Sequence, residues 1–366
     1  MYSRELTPLQ QLKISCLSSG IRITPEAETR LTEGGEVPLS IHEYATTGGV
    51  TLELDGGLFV NAPFDEWFCD QPEVVLTTDE PSGGYAVHFE NDSFPARVLP
   101  LPGYLDTRDS QGRLAIDTVM SHADRARLSP IAGCSFSCRF CDSAIRAEYT
   151  PRPVDQLLEA LAIARQDSLL PAKHVLISGG TPSPDDYPYL DDVCERVINN
   201  TELNVDVMMW PRPGDVIDRL ADWGVHGYAL SIELYDDEIA QRLIPQKRQY
   251  GLDRYAEGIE RAVERTGGNG RVRSLVLVGL EPVESTLAGV EFLARLGCDP
   301  VLSPFRPARG TILEDLPPPS ADLLERVYLE SLEIVDRHGV KLGPRCIPCH
   351  HNTLTFPDDS GAYYHS

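Results

Sequence analysis

Lysine is nearly missing from this 366-residue chain: of 32 Lys and Arg residues, only Lys13, Lys173, Lys247 and Lys341 are lysine. Codon usage accounts for that as well as any function does. Basic charge is also short against 56 acidic residues, leaving a net charge of -24. Such a surface repels phosphates, which excludes a nucleic-acid binder and disfavours an anionic membrane surface. No run of eighteen apolar residues is present, so no membrane span is expected. The start, Met1-Tyr2-Ser3-Arg4-Glu5, lacks the apolar stretch of a signal peptide. The expected location is the cytoplasm. Nine cysteines, an odd number with three clustered, suit a reducing compartment better than a disulfide framework.

The clustered three are the most informative residues. Cys134, Cys138 and Cys141 form a C-x₃-C-x₂-C loop, Gly133-Cys-Ser-Phe-Ser-Cys-Arg-Phe-Cys141. Iron–sulfur clusters are held by thiolates, four when coordination is complete. Three would leave one iron of a 4Fe–4S cube open, which marks a reactive site rather than a structural one. Zinc or inert thiols are the plain alternatives, but zinc usually takes paired C-x₂-C units. About forty residues on, the apolar run His174-Val-Leu-Ile177 leads into Ser178-Gly179-Gly180-Thr181-Pro182. Glycines there let the backbone approach a ligand and offer N–H groups to an anion. An ordinary strand-to-loop turn is the alternative.

Together, in this order and spacing, the two motifs resemble the radical S-adenosylmethionine (SAM) enzymes. The resemblance implies a 4Fe–4S cluster on Cys134, Cys138 and Cys141, with SAM chelating the open iron. It puts Phe140 near the adenine and Ser178–Pro182 on the methionyl amino group. Reductive cleavage of SAM would give a 5′-deoxyadenosyl radical. The resemblance covers residues 125–357.

Residues 1–115 read as a small β-rich N-terminal domain. A helix is expected over Leu9–Leu17, a hairpin over Val50–Asn61, and strands at Val74–Thr77, Tyr85–Phe89 and Arg97–Leu101. From residue 120 to 340 strand and helix patterns alternate in six successive units, which implies a parallel sheet with helical crossovers. The resemblance supplies the closure into a partial (β/α)₆ barrel, with chemistry at the C-terminal ends of the strands.

Polar residues at those ends complete the candidate site. Ser231 and Glu233 end the fourth strand, where a carboxylate can accept from ribose hydroxyls or the SAM ammonium. Lys247 or Arg248 could pair with the SAM carboxylate; a solvated basic turn is the alternative. The fifth strand resembles biotin-synthase-like members, with Val278 and Gly279 against the adenine. Glu281 and Glu284 could instead only cap the following helix. After the sixth strand, Arg306 could meet substrate or make a salt bridge.

Residues 341–366 form a C-terminal Cys/His segment, expected near the barrel mouth. Cys346, Cys349 and His350 are soft-ligand types that suit an auxiliary iron–sulfur cluster or zinc. Without metal, the segment could cap the barrel and set His350, His351 or Asn352 on the substrate, or be structural.

The expected protein is a radical SAM enzyme that abstracts hydrogen from a small-molecule substrate in cofactor or natural-product biosynthesis. A flavodoxin- or ferredoxin-type donor would supply the electron. Two alternatives stand: a sulfur-inserting or methylthiolating enzyme with an auxiliary cluster, and a non-catalytic iron–sulfur carrier or sensor.

Overall fold

In the computed structural model, residues 5–35, 37–41, 48–80, 82–212 and 214–365 are described. Met1–Arg4, read above for a leader, lie outside them. The first helix, Pro8–Ser19, starts on Thr7, which forms a reciprocal capping box with Gln10. A six-stranded sheet follows, in the order Arg22–Ile23, Val75–Asp79, Gly84–Phe89, Asp92–Val98, Val50–Leu54 and Leu58–Ala62. The expected hairpin is there, turning at Asp55-Gly56-Gly57, where both glycines have positive φ. The strand expected at Arg97–Leu101 begins earlier, at Asp92. A tight turn pairs Asp92 with Phe89 and sets that register.

The second sheet is the partial barrel. Six parallel strands lie in chain order: Arg125–Leu128, His174–Ile177, Asn204–Met208, Gly227–Ala229, Val272–Val278 and Asp299–Pro304. All four residues of His174–Ile177 are buried, as a strand covered on both faces requires. A seventh strand, Val119–His122, pairs antiparallel with the first and was not expected. Helices Val154–Arg165, Tyr187–Asn199, Val216–Trp223, Gly251–Thr266, Val283–Arg295 and Ala321–His338 separate or follow the strands. Two short helices not expected from the sequence, Asp237–Leu243 and Pro245–Arg248, lie between the fourth strand and Gly251–Thr266. Asp236 caps the first of them by accepting from the Ile239 N–H at 3.0 Å.

The two sheets share one apolar core, which joins Leu12, Val60 and Leu76 to Leu128, Val276 and Leu332. Lys13, fully buried on the first helix, donates to the carbonyls of His350 and Thr355, both at 2.8 Å. That ties the start of the chain to its end.

The C-terminal segment is not at the mouth. Arg345 Nε meets Asp299 Oδ2 at 2.7 Å, at the first residue of the sixth strand. Cys346 and Cys349 lie against His174, the first residue of the second strand. The segment therefore floors the N-terminal end of the barrel, opposite the cysteine loop. No helix among the described residues is long and apolar enough to cross a membrane.

Candidate functional site

The cysteine loop leaves the first barrel strand and is closed at its neck by a two-stranded ladder, Ile131–Ala132 with Thr150–Pro151. Its three thiols are partly buried. Cys134 Sγ accepts two backbone N–H bonds, from Phe136 at 3.3 Å and Thr181 at 3.1 Å. The Cys141 thiol donates to Ser143 Oγ at 3.2 Å. Burial pushes the Cys138 and Cys141 thiols up, so these sulfurs need a positive partner to be thiolates. The far side of the loop rests on the two unexpected short helices: Arg139 N–H donates to the Leu243 carbonyl, and Gln246 Nε2 to Ser137 Oγ, both at 2.8 Å.

The Ser178–Pro182 loop is laced to this one. Ser135 donates from its N–H to the Thr181 carbonyl and from Oγ to the Pro182 carbonyl, both at 3.0 Å. A Cβ at Gly180 would overlap the Gly133 carbonyl oxygen and lie 3.1 Å from Cys134 Cα. Only glycine allows that approach. Ser178 Oγ reaches Met208 Sδ at 3.3 Å.

Glu233 has a left-handed backbone, φ 64, past the end of the fourth strand. Its Oε1 meets Lys247 Nζ at 2.5 Å, while Arg248 turns away to Asp237. Its Oε2 is buried with no hydrogen-bond partner among the described residues. Ser231 Oγ accepts from the Leu275 N–H at 3.4 Å.

These residues open on one cavity of about 260 Å³ that runs down the barrel interior. Phe140, Cys141, Ser178, Gly179, Ser231 and Glu233 line its upper part; Cys349, Asn352 and Thr353 belong to the floor segment. Arg125, Arg127 and Arg273 also line it, a cationic lining inside an acidic protein. Burial lowers the Arg127 guanidinium to about 9.

Several candidates stand elsewhere than expected. Val278 is buried but off the cavity; the pleat turns Leu275 and Leu277 inward instead. Gly279 packs on Pro319. Glu281 does cap a helix, but not the following one. Its Oε2 accepts from the N–H groups of Tyr235 and Asp236, at 2.9 and 2.8 Å, just before Asp237–Leu243. Arg306 lines the cavity, but its guanidinium donates to Asn61 Oδ1 at 2.8 Å and to the Asn61 and Gly48 carbonyls. It links the last strand to the six-stranded sheet. His351 is buried and stacks on His122, off the cavity. The imidazole of His350 is buried away from Cys346 and Cys349, with both ring nitrogens unpartnered among the described residues. The side chains that do gather on the two thiols are His174 and Asp124.

Sequence reasoning missed Arg125, Arg127, Arg273, Leu275 and Leu277. Alternation carried the signal: Arg125 and Arg127 are two apart on one strand and therefore share a face.

Residues 128–292 match the radical SAM superfamily model. That segment of the chain is a radical SAM domain. Its cofactors are accordingly a 4Fe–4S cluster and SAM. A bacteriochlorophyllide c C-7(1)-hydroxylase of Chlorobaculum limnaeum is 28% identical over 141 residues, 37% of this chain and 34% of that protein. The match thus spans about a third of that relative. Among solved structures, methylornithine synthase aligns with TM-score 0.48 and 17% identity over 58% of this chain and 62% of its own. A radical SAM methyltransferase from Sphaerobacter thermophilus aligns with TM-score 0.46 and 19% identity over 74% of this chain and 76% of its own.

The residues present fit both groups. Three thiols on one tied loop, one already receiving two N–H bonds, suit an iron–sulfur cluster. An orphaned buried carboxylate oxygen on Glu233, a residue that lines the same cavity, suits a hydroxyl or ammonium donor.

Proposed function

We propose that this protein is a radical SAM enzyme acting on a small anionic substrate held inside the barrel. Cys134, Cys138 and Cys141 are its cluster ligands. When bound, cluster and SAM supply a 5′-deoxyadenosyl radical that takes hydrogen from a substrate carbon. The backbone of Gly179–Thr181 receives the methionyl end of SAM, and Glu233 Oε2 accepts from its ammonium or ribose. Lys247 holds the Glu233 side chain in place for that role through their ion pair. Leu275 and Leu277 give the cavity an apolar wall.

Arg125, Arg127 and Arg273 carry the choice of an anionic substrate: guanidinium groups hold carboxylate or phosphate with fixed geometry. Arg273 is also paired with Asp206 at 2.8 Å, so it orients as well as attracts. The cavity suits a metabolite rather than a folded partner. A flavodoxin- or ferredoxin-type protein is the proposed electron source. The hydroxylase among the relatives acts, by its name, at a carbon position, which is the same broad class of chemistry.

The observation that carries this reading is the convergence of the cysteine loop, the glycine loop and the unpaired Glu233 oxygen on one cavity. Anaerobic incubation of cluster-loaded protein with SAM and dithionite is expected to release 5′-deoxyadenosine. Cys134→Ala/Cys138→Ala/Cys141→Ala is expected to release none. A fully loaded protein that releases none favours a carrier or sensor instead.

A further inference from the structure

We propose that Asp124, His174, Cys346 and Cys349 hold one structural zinc ion beneath the barrel, apart from the radical SAM cluster. Their ligand atoms all lie within 4.8 Å of one another. Cys346 Sγ and Cys349 Sγ are 3.6 and 3.5 Å from His174 Nε2. Asp124 Oδ1 is 3.9 Å from Cys346 Sγ and 3.3 Å from His174 Nε2. A tetrahedral zinc ion with bonds of about 2.3 Å to sulfur and about 2.0 Å to nitrogen and oxygen sets ligand edges of roughly 3.5 Å between sulfur and nitrogen or oxygen. The same bonds set roughly 3.3 Å between nitrogen and oxygen. The edges through His174 match such a shell, and the Asp124–Cys346 edge is slightly longer.

The fold brings them together from three places. Asp124 sits in the turn between Val119–His122 and the first barrel strand, held there by the left-handed Ala123 (φ 53) and by the Lys173 N–H on its carbonyl at 2.8 Å. His174 begins the second strand, in register with Arg125. Cys346 and Cys349 flank a tight turn in which the Cys349 N–H bonds the Cys346 carbonyl at 3.0 Å. His365 stacks on the His174 ring at 3.9 Å and covers it. His174, Cys346 and Cys349 are buried and Asp124 nearly so.

A single ion fits this set better than an iron–sulfur cluster. A cluster spreads its ligands over two or more irons, whereas these four crowd one point. Four protein ligands leave no open position, the mark of a structural zinc site. Its task follows from its place. The ion would clamp the C-terminal segment to the starts of two strands, and Cys349, Asn352 and Thr353 of that segment line the cavity. Zinc would fix the floor under the substrate. Each side is secured covalently by metal–ligand bonds where the chain offers only short irregular structure.

The test is metal analysis of anaerobically purified full-length protein grown with iron and zinc, after dialysis against a chelator. About one zinc per chain is expected beside the cluster iron. Cys134→Ala/Cys138→Ala/Cys141→Ala is expected to lose the iron and keep the zinc. Cys346→Ser/Cys349→Ser is expected to drop zinc at least tenfold and keep the iron. Should that variant not fold, zinc-edge X-ray absorption of the wild type decides: the expected shell has two sulfur and two nitrogen or oxygen neighbours. Folded wild type without zinc, a shell without sulfur, or extra iron in place of zinc each overturns the proposal.

Discussion

Lys247 Nζ lies 2.5 Å from Glu233 Oε1, while the other oxygen of the same carboxylate is buried and has no partner among the described residues. The carboxylate is therefore half satisfied. Lys247 fixes its orientation, and Oε2 remains for something that enters the cavity. A buried acceptor left unmet costs about 1–3 kcal/mol, so a ligand that supplies a donor gains from it. Glu233→Gln removes the charge and half the acceptor capacity. SAM affinity is expected to fall about 10–100-fold, since a hydrogen bond to a charged group contributes about 1.5–3 kcal/mol. Anaerobic calorimetry with SAM measures this, with iron per chain as the control. Unchanged affinity at full iron occupancy would remove Glu233 from the SAM site.

Gly180 is the contact point of the two motif loops. Any side chain there collides with the Gly133 carbonyl, one residue before the first cysteine. The loops share three further bonds through Ser135 and the Cys134 sulfur. Gly180→Ala must push the cysteine loop away while leaving the buried strands alone. The expected outcome is a chain that keeps its far-ultraviolet circular dichroism and retains less than half the wild-type iron after reconstitution. Normal iron loading with weakened SAM cleavage would instead assign Gly180 to SAM alone.

Local pattern explains what could be read in advance. The cysteine spacing, the glycine loop and the apolar run His174–Ile177 are written in contiguous residues, and that run is a buried strand of the barrel. Residues whose roles depend on distant partners were not legible. Arg306 looked like a substrate contact because it follows the last strand. Its guanidinium is bound by Asn61, 245 residues away in the chain. His350 looked like a metal ligand because it adjoins Cys349. Cys349 and His350 project in different directions from the tight turn Ile347–Asn352, and the imidazole that meets the thiols begins a strand far upstream. The cationic cavity hid for a related reason: its arginines come from the first and fifth strands and converge only when the sheet curls.

Asp206, in the middle of the third strand, joins Arg273 at 2.8 Å and His226 Nδ1 at 2.8 Å. Burial alone would raise this carboxyl, but Arg273 and then His226 outweigh it and hold it well below the usual carboxylate range. A carboxylate depressed on folding adds stability that is fully present above its unfolded value of about 3.9. That stability is lost as pH falls through the lower folded value. Asp206→Asn should cost about 3 kcal/mol near neutrality, because it strands the buried Arg273 charge. The gap between wild type and Asp206→Asn is expected to stay level from about pH 8 to 5 and to shrink below about 4. Urea denaturation of both proteins across that range measures it. Taking the difference cancels any acid loss of metal that the two proteins share. A gap that widens on acidification, or closes while the pH is still above 5, would show that another group governs this end of the barrel.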